Sequence, residues 1–471
     1  MENKFYITTP IYYTNAKPHI GHAYTTIACD VLARWNHLQN KKVFFLTGTD
    51  EHGMKIQKKA EEVGKKPQEF VDEIVGEFKN LWSAEKLNIK YDNFIRTTDE
   101  THTKAVQKVL QTLFDKGAIY KGEYEGLYCT GCEQFLNESD LVDGKCPDHN
   151  AVPEKMKEEC YLMKMTTIQD DLIGKIESNE FEITPKKYKN EILSFLKSQT
   201  LRDVSISRKN VSWGIQLPFD SEHTTYVWVD AFLNYLTGLG WDGDEKKLPK
   251  FWPADINMIG KDILRVHATI WPAILLHLGI ELPKMIFTHG HILSGGKKMS
   301  KTLGNVITID EMLSKFGTDG TRYLLMSGGT FGEDLDLTME RMTEKYNADL
   351  ANGLGNLVSR VVKLSDKLPI NLEASIEAST ELKKFLDKFQ TDKALEFIWE
   401  KISEDNKYIE DNKPWELAKS DEKKFGEVMQ KLLDDLGLIS RMLAPFLPET
   451  AEKIQKALKT KQVEPLFQRI K

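Results

Sequence analysis

His19 and His22 stand three residues apart in the stretch Thr8-Thr9-Pro10-Ile11-Tyr12-Tyr13-Thr14-Asn15-Ala16-Lys17-Pro18-His19-Ile20-Gly21-His22. The apolar run before it, Phe5-Tyr6-Ile7-Thr8, reads as a strand that feeds a turn-rich loop. Pro18 suits a first helical turn, and the pattern predicts a helix from there through His19 to about Asn36. Imidazoles at i,i+3 share one face of that first turn. A helix N-terminus already offers free amides and a partial positive charge. With Gly21 clearing the surface between the rings, the arrangement predicts a polyphosphate site. A bare His-x-x-His is usually two surface histidines; a literal His-Ile-Gly-His after a strand near the N-terminus favours the site.

Two further groups could do chemistry. Lys298-Met299-Ser300-Lys301 lies in the glycine- and lysine-rich stretch 290–301. That stretch predicts a mobile loop able to bring two ammonium groups onto a phosphate chain. Alone, such a run is a solvated basic loop; about 280 residues after His-Ile-Gly-His, and in that order, it gains meaning. Separately, Cys129-Thr130-Gly131-Cys132 is followed after 13 residues by Cys146-Pro147-Asp148-His149. This Cys-x-x-Cys…Cys-x-x-His spacing matches a structural zinc site closed by four protein ligands. Cys29 reads as buried in the first helix, and Cys160 as structural.

The elements that must hold these groups form an alternating pattern. Val43-Phe44-Phe45-Leu46-Thr47-Gly48 reads as a buried parallel strand, with Thr49-Asp50-Glu51-His52-Gly53 as a polar loop at its carboxyl end. Helical patterns cover 54–65, 67–86, 99–117 and about 185–198. Thr225–Asp230 resumes the alternation of a strand, a helix with Tyr235 follows, and Ile256–Asp262 reads as another strand end. A further helix spans about 263–279, and Lys284–His289 makes another strand. The expected architecture is α/β: a Rossmann-like doubly wound parallel sheet split by a zinc-knuckle insertion and followed by an all-α helical bundle. The expected divisions are 1–118 and 221–290 for the two sheet halves, 119–220 for the insertion, 291–346 for the basic loop and its surroundings, and 347–471 for the bundle.

Composition bounds the function. The chain has 471 residues, 41% hydrophobic and 29% charged, enough for several packed domains. A net charge of −7 supplies no global field for a polyanion, so any nucleic-acid contact must use local patches. The start, Met-Glu-Asn-Lys-Phe, is not a signal peptide, and no apolar run reaches a membrane span. Five cysteines, three of them clustered with a histidine, favour metal over disulfides and a reducing cytoplasmic setting.

The His-Ile-Gly-His and Lys-Met-Ser-Lys pair resembles the HIGH and KMSKS signatures of class I aminoacyl-tRNA synthetases, with Thr302 at the last position. The narrower resemblance covers essentially the whole chain and is to the methionyl-tRNA synthetase family in its one-knuckle form. It is carried by Pro10–Asn15, Thr47–Gly53, Tyr226–Ala231, Gly260–His267, Asn352–Arg360 and Asn412–Trp415. The resemblance implies a methionine pocket of Ile11, Tyr13, Trp228, Ala231, Tyr235 and His267, with Asp50 on the α-ammonium group. It implies ATP contacts from His19, Gly21, His22, Gly260, Asp262, Ile292, Lys298 and Lys301, of which His19, His22, Lys298 and Lys301 are the catalytic set. It implies anticodon reading by Asn356, Arg360 and Trp415, and zinc on Cys129, Cys132, Cys146 and His149.

Methionine is unbranched and carries a polarizable sulfur, so an aromatic pocket suits it. The implied reaction has two steps, adenylate formation from L-methionine and ATP with Mg²⁺, then transfer to tRNA(Met). The implied partners include no membrane, and the implied state is a monomer. Two alternatives differ in class. Another class I synthetase, for leucine, valine, isoleucine or cysteine, would need a large editing insertion or a catalytic zinc. A non-catalytic RNA-binding relative would have lost the two signatures, and both are intact.

Overall fold

The structure, a computed structural model, describes residues 3–130, 134–136, 138, 141–147, 150–209, 211–299, 304–365 and 380–471. The chain opens with β1 (Lys4–Thr8), β2 (Tyr12–Tyr13), α1 (Ile20–Leu38), β3 (Lys42–Asp50), α2 (Met54–Glu62), α3 (Pro67–Trp82), β4 (Asn93–Arg96) and α4 (Glu100–Asp115). An insertion follows: β5 (Ile119–Cys129), β6 (Gln134–Leu136), β7 (Glu154–Met163), α5 (Gln169–Ser178), β8 (Glu182–Thr184), α6 (Lys186–Ser198), β9 (Val204–Ser205), β10 (Ser207–Arg208), β11 (Gln216–Leu217) and β12 (Asp220–Thr225). The site-bearing second half is α7 (Val227–Phe232), α8 (Asn234–Thr237), β13 (Ile256–Gly260), α9 (Leu264–Leu278), β14 (Met285–His289), β15 (Ile292–Ser294) and β16 (Lys297–Lys298).

Among the described residues the main sheet has seven strands, and its pairings are all parallel. Leu46 of β3 pairs with Thr8 of β1 and with Asn93 of β4, so those strands flank β3 on opposite sides. The lateral order is therefore β4-β3-β1-β13-β14-β8, with β2 continuing the β1 edge beside Thr49 and Asp50. The chain runs from β1 outward to β3, and returns on the other side as β13. The order reverses between β1 and β13, which opens a crevice at the carboxyl ends of the strands. These strands are buried along most of their length, as parallel strands covered on both faces must be.

Three expectations need correction. Thr225–Asp230 is not a strand: β12 ends at Thr225 and α7 begins at Val227. Val227, Val229, Asp230, Ala231 and Phe232 are all buried, so the helix shows no polar face and its short apolar sequence mimics alternation. Second, β8 pairs with β14, so the stretch 119–220 is more than an insertion and returns an edge strand to the sheet. Third, the described part of the basic stretch, 290–299, is paired. β15 and β16 form a two-residue hairpin, with Leu293 opposite Lys298 and Ser294 opposite Lys297. Gly295 and Gly296 take φ of 61° and 73°, the left-handed pair that the tightest hairpin turn requires.

The C-terminal third is helical: α10 (Ile309–Ser327), a two-residue strand β17 (Leu335–Asp336), α11 (Met339–Lys345), a π-helical segment Tyr346–Gly355, α12 (Asn356–Leu364), α13 (Thr380–Leu386), α14 (Thr391–Asn412), α15 (Pro414–Ser420), α16 (Glu422–Leu443) and α17 (Pro448–Thr460). β17 pairs with β15 and so fastens the basic hairpin to this region. One polar bolt runs between the sheet and the helices. The Arg322 guanidinium on α10 donates to Asp30 of α1 at 2.6 Å, to Leu87 O at 3.0 Å, and to Pro445 O and Phe446 O ahead of α17 at 3.0 and 2.8 Å. Both charged side chains are fully buried. Among the described residues no helix is long and apolar enough to cross a membrane.

Candidate active site

The two histidines open α1. His19 is the cap itself, with Ile20 the first helical residue, so Pro18 precedes the cap instead of forming the first turn. Gly21 N–H donates to His19 Nδ1 at 3.1 Å, and His19 N–H donates to His22 Nδ1 at 3.2 Å. Each Nδ1 is thus an acceptor, which leaves each neutral ring as the Nε2–H tautomer. The rings stack at 3.6 Å and 24°. Burial lowers both pKa values below the ordinary range, and His22 more so because His19 lies against it. The pair therefore presents two neutral N–H donors side by side. A Cβ on Gly21 would stand 3.0 Å from the His19 ring, so a glycine keeps this stack open.

These rings line a cavity of about 720 Å³ at the carboxyl ends of β1, β3, β13 and β14. Ile11, Tyr13, Gly21, Asp50, Trp228, Ala231, Tyr235, Gly260, Asp262, His267, Ile292 and Lys298 line it as well. The crevice thus gathers the implied methionine and ATP residues with the exception of Lys301, which lies outside the described residues. Asp50 ends β3, in register with Tyr13; its backbone carbonyl accepts from Thr14 N–H at 3.0 Å and from the Thr14 hydroxyl at 3.1 Å. Its side chain is buried. A Cβ on Gly260 would come within 2.6 Å of Asp262 Oδ1, so a side chain there would push the Asp262 carboxylate from its present place. Lys298 is exposed on β16 and meets no carboxylate among the described residues.

The opposite wall is aromatic. His267 Nδ1–H donates to Ile263 O at 2.9 Å, so its Nε2 accepts from the Tyr235 hydroxyl at 2.8 Å. Burial pushes the His267 pKa down to about 4, which keeps the ring neutral. Phe232 meets His267 edge-on at 4.8 Å and stacks against Trp228 at 5.8 Å. The Trp228 indole N–H is buried with no acceptor among the described residues. Sequence reasoning missed Phe232 and Asn234, both cavity-lining. Phe232 lies four residues after Trp228, so a helical reading of α7 would have found it. His289 was also missed: it ends β14, lines the cavity, and receives the Thr25 hydroxyl on Nε2 at 2.7 Å.

The other two groups lie elsewhere. Cys129 ends β5 and Cys146 follows a tight turn bridged by Val142 and Lys145. Both thiols are buried. Cys132 and His149 lie outside the described residues. Among the described residues of 141–155, Cys146 and Pro153 are buried and the rest are largely exposed. A segment with so little apolar cover fits a metal-thiolate centre as its organiser. In the bundle, Asn356 opens α12 and is exposed. Arg360 sits one turn later, pairs with Glu410 at 2.7 Å, and lies 5.5 Å over the Trp415 ring. Trp415 lies in the first turn of α15 and keeps 38% of its surface exposed.

A parallel sheet with a switch-point crevice, paired imidazoles at a helix start and a basic hairpin facing them define a class I aminoacyl-tRNA synthetase. Residues 5–152 and 149–362 match the family described as tRNA synthetases class I (M), and residues 360–468 match the anticodon binding domain of methionyl tRNA ligase. A methionine-tRNA ligase of Clostridium acetobutylicum is 46% identical over 475 residues, covering 97% of this chain and 73% of that one. One from Thermotoga maritima is 40% identical, covering 96% and 74%. The Mycobacterium tuberculosis methionyl-tRNA synthetase in complex with methionyl-adenylate superposes with a TM-score of 0.89 at 36% identity, covering 97% of this chain and 93% of that one. Its apo form gives 0.84 at 32% identity, covering 100% and 99%. The chain belongs to the methionyl-tRNA synthetase family.

Proposed function

We propose that the chain activates L-methionine with ATP and transfers the methionyl group to tRNA(Met). The observation that carries this reading is the single crevice in which Asp50 and the aromatic wall face the stacked imidazoles and Lys298. In the first step the methionine carboxylate attacks the α-phosphorus of ATP and pyrophosphate leaves. Asp50 holds the α-ammonium group, while Trp228, Phe232, Tyr235 and His267 pack the thioether. The two Nε2–H groups of His19 and His22 donate to phosphate oxygens, and Lys298 with Lys301 neutralises charge that grows on the leaving pyrophosphate. In the second step the terminal ribose 2′-hydroxyl of the tRNA attacks the acyl carbon and AMP leaves.

No protein nucleophile is needed, so positioning and fixed charge account for catalysis. Gly260, Asp262 and Ile292 serve the ribose and adenine. Mg²⁺ supplies charge neutralisation on the ATP phosphates. Cys129, Cys132, Cys146 and His149 would hold Zn²⁺ as a structural tie for the insertion. Trp415 stacks an unpaired anticodon base, and Asn356 and Arg360 hydrogen-bond to it. The working unit is a monomer. Rejecting homocysteine, one methyl smaller, by packing alone is worth about 1–3 kcal/mol.

The test is ATP–pyrophosphate exchange with each amino acid in turn. Exchange that depends on methionine, and not on leucine, isoleucine, valine or cysteine, is the expected result. Exchange with another amino acid at equal efficiency would overturn the assignment.

A further inference from the structure

Asp50 does not stand alone at the end of β3, because the two residues after it are pinned from three sides. Glu51 is fully buried and saturated: Arg96 donates to both its oxygens at 2.7 and 2.8 Å, and the Thr49 and Thr98 hydroxyls donate at 2.6 Å. The Glu51 N–H donates to Thr97 Oγ1, and Gly53 N–H donates to Trp213 O at 3.0 Å. His52 points the other way. Its Nδ1–H donates to Asp230 Oδ2 at 3.0 Å, and its ring meets Trp213 at 5.5 Å and 62°. Asp230 is fully buried, and its second oxygen has no hydrogen-bond partner among the described residues. His52 is therefore the one hydrogen-bond partner of that carboxylate among them.

Asp230 sits in α7, the six-residue helix that carries Trp228, Ala231 and Phe232 into the cavity. The His52–Asp230 bond thus joins the loop that carries the ammonium-binding carboxylate to the helix that carries the aromatic wall. No backbone pairing in the sheet does so, since β3 and α7 belong to different halves of the fold. We infer that His52 and Asp230 are positioning residues for methionine, fixing the distance between Asp50 and the Trp228–Phe232 wall; this rests on the methionine pocket proposed above. Neither side chain needs to touch the substrate. A pocket that must hold an ammonium group and an unbranched thioether together requires such a cross-tie, because a shift of about 1 Å between its two walls misplaces one end of the ligand.

The test measures methionine KM, ATP KM and kcat by exchange in His52→Leu, His52→Asn, Asp230→Asn and the double variant His52→Leu/Asp230→Asn, with urea midpoints alongside. An asparagine at 52 keeps an N–H close to where His52 Nδ1 stands, and an asparagine at 230 keeps an acceptor. The expected result is a methionine KM raised about tenfold in His52→Leu, with ATP KM and kcat changed less than about twofold. His52→Asn and Asp230→Asn should lie within about threefold of the parent. The double variant removes the uncompensated buried carboxylate. It should regain stability yet keep the raised methionine KM.

Several outcomes would overturn the inference. They are an unchanged methionine KM in His52→Leu, an equal rise for ATP, a His52→Asn defect as large as that of His52→Leu, and a methionine KM that recovers together with stability in the double variant. A parent chain with no methionine-dependent exchange would overturn the function itself, and the inference with it.

Discussion

Replacing Arg322 with methionine tests the polar bolt between sheet and helices. The guanidinium and Asp30 are both fully buried at 2.6 Å, and removing one member of such a pair costs about 3–5 kcal/mol. Asp30 would keep two partners, Arg34 Nε at 2.7 Å and the Lys90 N–H at 2.9 Å, so the charge contribution falls at the lower end, about 3 kcal/mol. The carbonyls of Leu87, Pro445 and Phe446 would also lose their donor, adding about 1–2 kcal/mol after relaxation. Methionine fills similar volume, so a cavity contributes little. The expected loss is about 4–5 kcal/mol, read from urea midpoints at a common slope with circular dichroism as the signal. Arg322→Lys, which keeps a charge but not the planar fork, should lose about half as much. A loss under about 1 kcal/mol in Arg322→Met would refute the reasoning, since it would mean water or Arg34 satisfies the site unaided.

Lys298→Ala should lower kcat of exchange by about 10²-fold while changing the methionine KM less than threefold, because the ammonium group acts on charge that develops at the leaving group; equal losses in both would contradict that role. Burial pushes His102 and His267 down to about 3 and about 4 from an ordinary 6.5. Unfolding below pH 6.5 lets both rings take protons that the folded chain refuses, so stability should fall as pH drops, by about 2 kcal/mol per ring between pH 6.5 and 5. Denaturation at several pH values should show that slope, and His102→Gln should flatten it. Chelation of zinc should lower the melting temperature of the insertion while methionine affinity is retained; an unchanged melting profile would speak against a structural metal. Trp415→Ala should weaken tRNA binding by about 1–3 kcal/mol and leave tRNA-independent exchange intact.

What could be read from the sequence was local in its physics. His19 and His22 announced themselves because a strand, a turn and a helix start follow one another within a few residues. Buried parallel strands such as β3 wrote themselves as continuous apolar runs. Asp50, Trp228 and His267 met in one cavity because strand ends in a doubly wound sheet converge. The remainder depended on contacts distant in sequence. Asp30 and Arg322 are 292 residues apart, and His52 and Asp230 are 178 apart. No window of periodicity contains either pair. Helix α7 was misread because all but one of its six residues are buried, which erases the polar face that marks a helix. The basic hairpin was misread because glycine and lysine are loop signals. The pairing with β17, about 40 residues on, joins that hairpin into a three-stranded sheet.

The stacked imidazoles carry one more consequence. Two histidines side by side invite nickel, copper and zinc, which bind the unprotonated nitrogen of a neutral ring. In both rings that nitrogen is Nδ1, and a main-chain N–H already faces it. An intruding transition metal would have to switch both tautomers and break the start of the helix. The main-chain hydrogen bonds that fix both rings as Nε2–H donors thereby disfavour the binding of adventitious metal.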